Sequence, residues 1–317
     1  MKAAQFHPSR LPGAVAALRK AALFGPGMPW IPNGFHYVSP RQSELWREVA
    51  DKYQPAGLDR FYRAVFEGLA QAGLLKSPFH LVGLGAGGAR KERWLLESVG
   101  TPEVNHFTPV DVSESLAVES AIHAQDCVRA PIRPLVADVE QMPDLPEWLE
   151  EIDGGGMPRW FTAFGLTPNS EPEVLLPRLR DGLRESDRLL VSANLLPDGR
   201  IENVRPEYDN PETRCWLRQL LLEWGLEDRL GEIEFIPGSF GRAKALFARV
   251  RWKVDAVFEW EGESVQARGG EPVSLFFTVR FTREDFVKTL EESGMEVERS
   301  WQSDCGREGL CLTRRAK

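Results

Sequence analysis

Apolar runs and amphipathic segments alternate over residues 43–196. Short apolar runs, typical of buried strands, occur in FHLVGL, HFTPVD, RPLVAD, RWFTAFG and RLLVSANLL. Apolar residues recur at helical spacing in residues 43–52 and 61–69, before the first run, and again in residues 173–183. Alternation of strands with helices is typical of βαβ units. We therefore predict an α/β fold with a mostly parallel, doubly wound sheet.

The pattern changes after RLLVSANLL. A polar, proline-rich stretch leads into an amphipathic helical segment, CWLRQLLLEWGL, and extended segments follow it. Val250, Trp252, Val254, Ala256 and Phe258 alternate with mostly polar residues, which predicts one half-buried antiparallel strand. The chain then returns to a helical segment, REDFVKTLEESG, and two further strand-like segments. These segments predict a helix and an antiparallel hairpin that close the parallel sheet.

Composition and charge argue against several classes of binding partner. The 317 residues carry a net charge of -8, so no basic excess is present to neutralise nucleic-acid phosphates. No window of about 18 apolar residues occurs, and no apolar leader segment is evident, so neither membrane insertion nor export is expected. The four cysteines lack metal-ligand or CxxC spacing. They are expected to be reduced thiols of a cytoplasmic protein, without a bound metal.

A glycine-rich loop follows the first apolar run, and a helical segment follows the loop. Its glycines are Gly83, Gly85, Gly87 and Gly88. Glycine lets bare backbone approach a ligand closely, and the start of the next helix favours negative charge. This order of strand, glycine loop and helix predicts a site for a nucleotide-containing cofactor.

Two carboxylates stand where the next two runs end, at Asp111 and Asp138. Asp111 follows the loop by about 20 residues, the spacing at which an acid binds the ribose hydroxyls of a dinucleotide. NAD and S-adenosylmethionine both carry such a ribose. The single run of five predicted strands, the second acid and the closing hairpin favour S-adenosylmethionine. A nicotinamide cofactor, and a tight turn with no ligand, remain the alternatives.

Several segments, in order and over nearly the whole chain, resemble the histidine Nα-methyltransferases of ergothioneine biosynthesis. GAGGARKERWLL is similar to that family's GSGTSEKTRLLL loop, and TPVDVSES to its PVDVSES. AFGLTPN lies at the position of LGSTIGN, and SELWREV at that of SELFEKI. The resemblance implies a class I Rossmann-like methyltransferase sheet with an inserted α+β substrate lobe. We expect a helical arm of that lobe in residues 1–60, the core in 61–199 and 281–317, and the insertion in 200–280.

The resemblance also implies roles for individual residues. The cofactor would be S-adenosylmethionine, bound by the group Gly83, Gly85, Gly87, Lys91, Asp111, Asp138 and Val139. Asn169 matches the family's substrate-carboxylate asparagine across a one-residue gap, and Tyr208 resembles the tyrosine of the substrate lobe. These two are the candidate catalytic residues. Tyr37 and Tyr53 are candidates for the tyrosines of the N-terminal arm.

One segment departs from the family pattern. The family motif GExIxTExS reads the histidine imidazole through its glutamate and serine, and it aligns here with GEPVSLFFT. Phe276 replaces the glutamate and Thr278 replaces the serine, so these two are the remaining candidate substrate-binding residues. A buried imidazole N–H facing Phe276 would lose about 1–3 kcal/mol. An apolar or aromatic amino acid, or a larger amine, would suit this position better than histidine.

Together these features predict an S-adenosylmethionine-dependent N-methyltransferase acting on an amino acid or related small amine, and not on histidine. Methyl transfer from a sulfonium requires alignment rather than a covalent nucleophile, and no nucleophile motif is present. A small molecule is the expected partner, and a monomer is expected. A non-catalytic binding protein with this fold and a nicotinamide-dependent oxidoreductase are the alternative functions.

Overall fold

The computed structural model describes residues 3–24, 28–53, 55, 57–75, 78–99 and 104–317. In these residues the strands are β1 Gln5–Phe6, β2 Phe79–Leu84, β3 Val104–Asp111, β4 Leu135–Val136, β5 Arg159–Ala163, β6 Arg188–Asn194, β7 Glu234–Phe240, β8 Ala243–Arg251, β9 Ala256–Trp260, β10 Glu263–Ala267, β11 Pro272–Arg280, β12 Met295–Gln302 and β13 Glu308–Arg315. The α-helices are α1 Pro12–Phe24, α2 Pro40–Tyr53, α3 Leu58–Gln71, α4 Arg90–Val99, α5 Glu114–Ala124, α6 Leu145–Asp153, α7 Pro172–Asp181, α8 Arg205–Tyr208, α9 Pro211–Glu223 and α10 Arg283–Glu292.

The main sheet of the described chain has the order β1-β4-β3-β2-β5-β6-β13-β12. The pairs from β1 through β6 are parallel, whereas β13 is antiparallel to both β6 and β12. Every residue of β2 and β5 is buried, as expected for parallel strands covered by helices on both faces. The structure thus confirms the predicted α/β fold, a class I Rossmann-like methyltransferase sheet closed by an antiparallel hairpin.

The carboxyl ends of β2, β3, β4, β5 and β6 meet along one edge of the sheet, which is where ligands bind in open α/β folds. The glycine loop follows β2 and leads into α4, as predicted. Ser113 caps α5, because its Oγ accepts a hydrogen bond from the N–H of Leu116 at 3.4 Å.

A second sheet is built from β11, β8 and β7, all antiparallel, and β9 pairs separately with β10. The prediction of one strand through residues 250–258 is therefore wrong. Strand β8 ends at Arg251, and the next two N–H groups bond to the carbonyls of Glu271 and Arg229. Val254 lies in the resulting bend with 66% of its surface exposed. Side-chain alternation continues across this bend, so it did not reveal the change of partner strand.

Backbone bonds join the second sheet to the carboxyl end of β6. The N–H of Leu196 donates to the carbonyl of Phe281 at 2.7 Å, and the N–H of Phe281 donates to Asn194 at 3.1 Å. Residues from the α2 region, α9 and one face of β11 share a hydrophobic core, whereas the other face of β11 packs into the core of the main sheet. Strand β11 therefore holds its side chains over the edge where the parallel strands end.

The predicted domain boundaries stay a prediction. Within the arm predicted for residues 1–60, strand β1 pairs with β4 in the main sheet. Among the described helices, none has the length and apolar character needed to cross a membrane.

Candidate functional site

Two adjoining cavities open at the carboxyl ends of the parallel strands. The larger has a volume of about 730 Å³ and the smaller about 320 Å³. Both are lined by Tyr37, Trp46, Gly85, Gly87, Gly165 and Asn169. Volumes of this order accommodate small-molecule ligands. The shared lining means that a ligand in one cavity would lie next to a ligand in the other.

The glycine loop forms the boundary between the cavities. Gly85 and Gly87 have φ angles of 61° and 52°, in the left-handed region that favours glycine. A Cβ atom on Gly87 would lie 3.0 Å from the ring of Trp46, and one on Gly85 would lie 3.1 Å from Leu166. Glycine is therefore required at both positions for the turn and for the close approach of neighbouring side chains.

Asp111 ends β3 and lines the smaller cavity. Its Oδ2 accepts a hydrogen bond from the N–H of Gly87, and its Oδ1 accepts one from Ser113, both at 2.9 Å. Burial raises the pKa of this carboxyl to about 6, although these backbone donors act in the opposite direction. The carboxylate thus ties the glycine loop to β3 and faces the space beside both.

Asp138 and Val139 lie in the turn after β4, and both line the smaller cavity. The Oδ1 of Asp138 accepts a hydrogen bond from the N–H of Glu140 at 3.1 Å. Burial raises the pKa of Asp138, and the charge of Arg10 opposes that shift. Val139 is 6% exposed. The smaller cavity therefore combines acidic side chains, among them Asp111 and Asp138, with the apolar surface of Val139.

Aromatic side chains form one wall of the larger cavity. Phe276, which is 2% exposed, stacks on Tyr208 with ring centroids 6.2 Å apart and meets Trp216 edge-on at 5.2 Å. His36 packs edge-on against Phe276, and its Nε2–H donates a hydrogen bond to the carbonyl of Leu275 at 2.7 Å. Burial lowers the pKa of His36 to about 4, so its ring is neutral at neutral pH. The wall is consequently apolar and uncharged.

Tyr37 lies between the two cavities and lines both. Its hydroxyl is buried and has no hydrogen-bond partner among the described residues. Burial raises the pKa of Tyr37 well above its usual value, so the hydroxyl is protonated and available to a ligand.

A network centred on Arg280 forms the polar side of the larger cavity. The guanidinium donates to Thr278 Oγ1 at 2.6 Å and to the Tyr208 hydroxyl at 3.1 Å. With its side-chain oxygen facing Arg280, Asn194 also accepts at 3.1 Å. Glu207 lies 3.7 Å from Arg280 and pairs with Arg307 at 2.8 Å. Arg280 thereby fixes the position of Tyr208.

Lys91 enters the larger cavity from α4. Its Nζ lies 3.4 Å from Glu308 and 4.7 Å from the ring centroid of Tyr62. The Tyr62 hydroxyl donates to the same Glu308 oxygen at 2.5 Å. Glu308, which is 3% exposed, is therefore held by an ammonium and a hydroxyl group. This arrangement keeps Lys91 at the side of the glycine loop.

Most of the residues predicted from the sequence come together around these cavities. Tyr53 also lines the larger cavity and donates to Glu212 at 3.2 Å. Two residues lie outside the lining: Thr278 is fully buried beneath Tyr208, and Gly83 lies within β2, where a Cβ would be 3.3 Å from Glu92. The assigned roles themselves stay predictions.

Sequence reasoning missed several charged residues of the site, among them Arg10, Arg280 and Glu308. Arg280 had a detectable signal, because it shares the two-residue period of Phe276 and Thr278 and so lies on the same face of β11. Arg10 and Glu308 belong to no motif, and only the tertiary structure brings them to the site.

Comparison with solved structures gives many methyltransferases. The 1,6-didemethyltoxoflavin-N1-methyltransferase of Burkholderia thailandensis, crystallised with S-adenosylhomocysteine, is 12% identical, with 88% of this chain and 92% of that chain covered and a TM-score of 0.45. The CcbJ methyltransferase of Streptomyces caelestis is also 12% identical, with 90% and 98% covered and a TM-score of 0.45.

No curated protein matches the chain significantly. A family model does match it: residues 63–315 fit the model described as histidine-specific methyltransferase, S-adenosylmethionine-dependent. That match spans well over half of the chain. The chain therefore belongs to the family of histidine-specific, S-adenosylmethionine-dependent methyltransferases and is an S-adenosylmethionine-dependent methyltransferase.

Proposed function

We propose that this enzyme is an N-methyltransferase whose acceptor is an amino acid or related small amine other than histidine. The observation that carries the proposal is the aromatic wall of the larger cavity. Phe276 stands there, packed against Tyr208 and Trp216, where the resemblance to the family would place a glutamate.

The cofactor's adenosine suits the smaller cavity. Asp111 offers a carboxylate to the ribose hydroxyls, and Asp138 with Val139 offers an acceptor and an apolar surface to the adenine. Gly85 and Gly87 leave room for close backbone approach. Lys91, on the larger-cavity side of the loop, suits the carboxylate of the methionine part. When bound, the cofactor supplies an electrophilic methyl group on its sulfonium.

The acceptor suits the larger cavity, and residues of that cavity would orient it. Asn169 lines both cavities, and its Nδ2 donates to the carbonyl of Gly165 at 3.2 Å. Tyr208 is held by Arg280 and stacked on Phe276. We assign Asn169 and Tyr208 to the acceptor's carboxylate and amine ends. The buried hydroxyl of Tyr37 adds a hydrogen-bonding group at the junction, where the amine must meet the methyl group.

Histidine is disfavoured because its imidazole N–H would face a phenyl ring. An unpaired buried N–H loses about 1–3 kcal/mol, which corresponds to roughly 5- to 150-fold in affinity. An apolar or aromatic side chain would instead bury surface against Phe276 and Trp216. Aromatic amino acids and larger apolar amines are thus the acceptor class that this wall favours.

The test is mass-spectrometric detection of methylated products from S-adenosylmethionine and a panel of amino acids and amines, histidine included. We expect methylation of at least one aromatic or apolar amine, and methylation of histidine at about one fifth of that efficiency or less. Asp111→Asn, which removes the carboxylate proposed to bind the ribose, serves as the control with weakened cofactor binding and lower activity. Methylation of histidine in preference to every other compound would refute the proposed acceptor class.

We also propose a monomeric enzyme that works in the cytoplasm on a small molecule. The four cysteines, Cys127, Cys215, Cys305 and Cys311, are free, which supports a reducing environment. Size-exclusion chromatography with light scattering checks the monomer, and a dimer mass would contradict it.

A further inference from the structure

A short segment before α1 is built onto the cofactor edge of the sheet. We call residues 5–11 the N-terminal strap. Its strand β1 pairs in parallel with β4, with Gln5 opposite Leu135 and Phe6 opposite Val136. The strap lies outside residues 63–315, the part of the chain that the family model matches.

Side chains fix the strap in place. The N–H and Oγ of Ser9 both lie within hydrogen-bond distance of His7 Nδ1, at 3.1 and 2.8 Å. Because Nδ1 accepts the Ser9 N–H, the ring proton lies on Nε2, which donates to Asp144 at 2.9 Å. The Oγ of Ser9 also accepts a hydrogen bond from the N–H of Asp138 at 3.3 Å. The strap is therefore anchored directly to the turn that carries Asp138.

The next residue of the strap, Arg10, reaches the smaller cavity and lines it together with Asp111 and Asp138. Its Nε is buried and has no hydrogen-bond partner among the described residues. A buried donor of this kind is uncommon in a folded protein, and a ligand in the cavity is one way to satisfy it. The guanidinium thus lines the same cavity as the two carboxylates that we assign to the adenosine.

The positive charge of Arg10 influences the two acids that line the smaller cavity. Burial raises the pKa of both Asp111 and Asp138, and the positive charge of Arg10 acts against that shift in each case. Several other titratable groups line the cavity or interact with the two acids: His7, Tyr37, Glu92, Glu140 and Glu171. Burial raises the pKa of Glu92 and of Glu140 to about 7. Neither protonation state of a carboxyl group is positive, so these acids cannot replace the charge of Arg10.

We propose that Arg10 is a positioning residue for the cofactor, which holds Asp111 and Asp138 as anionic acceptors for the adenosine. A carboxylate accepts hydrogen bonds from ribose hydroxyls and from the adenine amino group, whereas a protonated carboxyl offers fewer acceptors. Arg10 acts through the two acids. The proposal rests on the proposed placement of the adenosine in the smaller cavity.

The test is calorimetric titration of S-adenosylhomocysteine into the wild type, Arg10→Gln, Arg10→Lys and Arg41→Gln between about pH 6 and pH 9. Arg41, paired with Glu44 on the exposed side of α2, is the matched control. We expect Arg10→Gln to bind about tenfold more weakly near neutral pH, since a positive charge in the cavity of the two acids is lost. Its loss of affinity on acidification should begin about one pH unit higher than in the wild type. Arg10→Lys, which keeps the charge, should restore the wild-type pH profile.

Wild-type affinity and pH profile in Arg10→Gln would overturn the proposal. Equal loss at every pH, or an Arg10→Lys profile like that of Arg10→Gln, would also overturn it, because the role would then be structural. Thermal melts without ligand check that each variant folds. If Arg10→Gln does not fold, the comparison of Arg10→Lys with the wild type is the test. Asp111→Asn tests the placement of the adenosine separately from the role of Arg10. Normal binding by that variant would refute the placement of the adenosine itself.

Discussion

Replacing Asp111 by asparagine separates a role in binding from a role in folding. The side chain keeps its shape but loses its charge and one of its two acceptor oxygens. In the wild type both oxygens are used, by the N–H groups of Gly87 and Ser113 at 2.9 Å. The proposed ribose hydroxyls would share these oxygens, so the substitution should affect the cofactor much more than the fold.

The magnitudes follow from the burial of this carboxyl. A hydrogen bond to a charged group contributes about 1.5–3 kcal/mol and a neutral one about 0.5–1.5. For two ribose hydroxyls the loss is about 2–4 kcal/mol, or roughly 30- to 1,000-fold in the Kd of S-adenosylhomocysteine.

Stability should change in the opposite direction. Burial raises the pKa from 3.8 to about 6, so at pH 8 the ionised form destabilises the folded protein by about 3 kcal/mol. A folded-state pKa raised above the unfolded value contributes stability that is fully present below the unfolded pKa and is lost as pH rises through the folded one. The asparagine variant is free of this loss, but one backbone N–H then faces an amide NH2, which costs about 1–3 kcal/mol. The free energy of unfolding at pH 8 should therefore be unchanged or higher by up to about 2 kcal/mol.

Isothermal titration with S-adenosylhomocysteine measures the binding, and urea unfolding without ligand measures the stability, both at pH 8. Asp126→Asn, at an exposed position away from both cavities, is the control. A wild-type Kd in Asp111→Asn, or a loss of stability greater than about 3 kcal/mol, would refute the reasoning.

Three further outcomes follow from the structure. The wild-type affinity for S-adenosylhomocysteine should be constant well above pH 6 and fall by up to about tenfold per pH unit below it, because Asp111 must lose its proton to bind; a flat titration profile would contradict this. Arg280→Met should lower kcat/KM for the accepted amine by about 10- to 100-fold through loss of the hydrogen bond that holds Tyr208, with the cofactor Kd unchanged. Equal losses in kcat/KM and in cofactor affinity would show that Arg280 does not act through the acceptor site alone. Asp153→Asn should destabilise the fold by about 3–5 kcal/mol in urea unfolding, because Arg159, paired with Asp153 at 2.8 Å and fully buried, is left uncompensated; a change below about 1 kcal/mol would exclude a structural ion pair.

Local chemistry explains why much of the cofactor edge could be predicted from the sequence. A strand and a glycine turn are each specified by a few adjacent residues, so the loop at Gly85 and Gly87 and the strand ending at Asp111 were both accessible. The run of five predicted strands, the second acid and the closing hairpin favoured S-adenosylmethionine over a nicotinamide cofactor, and the family match agrees with that choice.

The acceptor side depends on contacts between distant residues, which no local pattern contains. Arg280, Glu207 and Arg307 meet only because β11, α8 and the start of β13 converge. Arg10 reaches the smaller cavity only because β1 pairs with β4, far along the chain. The bend at Val254 escaped prediction for the same reason, since pairing partners rather than side-chain alternation end strand β8.

The most direct test of the central claim, that Phe276 shapes the acceptor site against histidine, is the ratio of two specificity constants. The measurement is kcat/KM of the purified enzyme for histidine divided by kcat/KM for its best substrate in the amine panel, at saturating S-adenosylmethionine. An unpaired imidazole N–H predicts a ratio of about one fifth or less. Histidine as the best substrate would contradict the account.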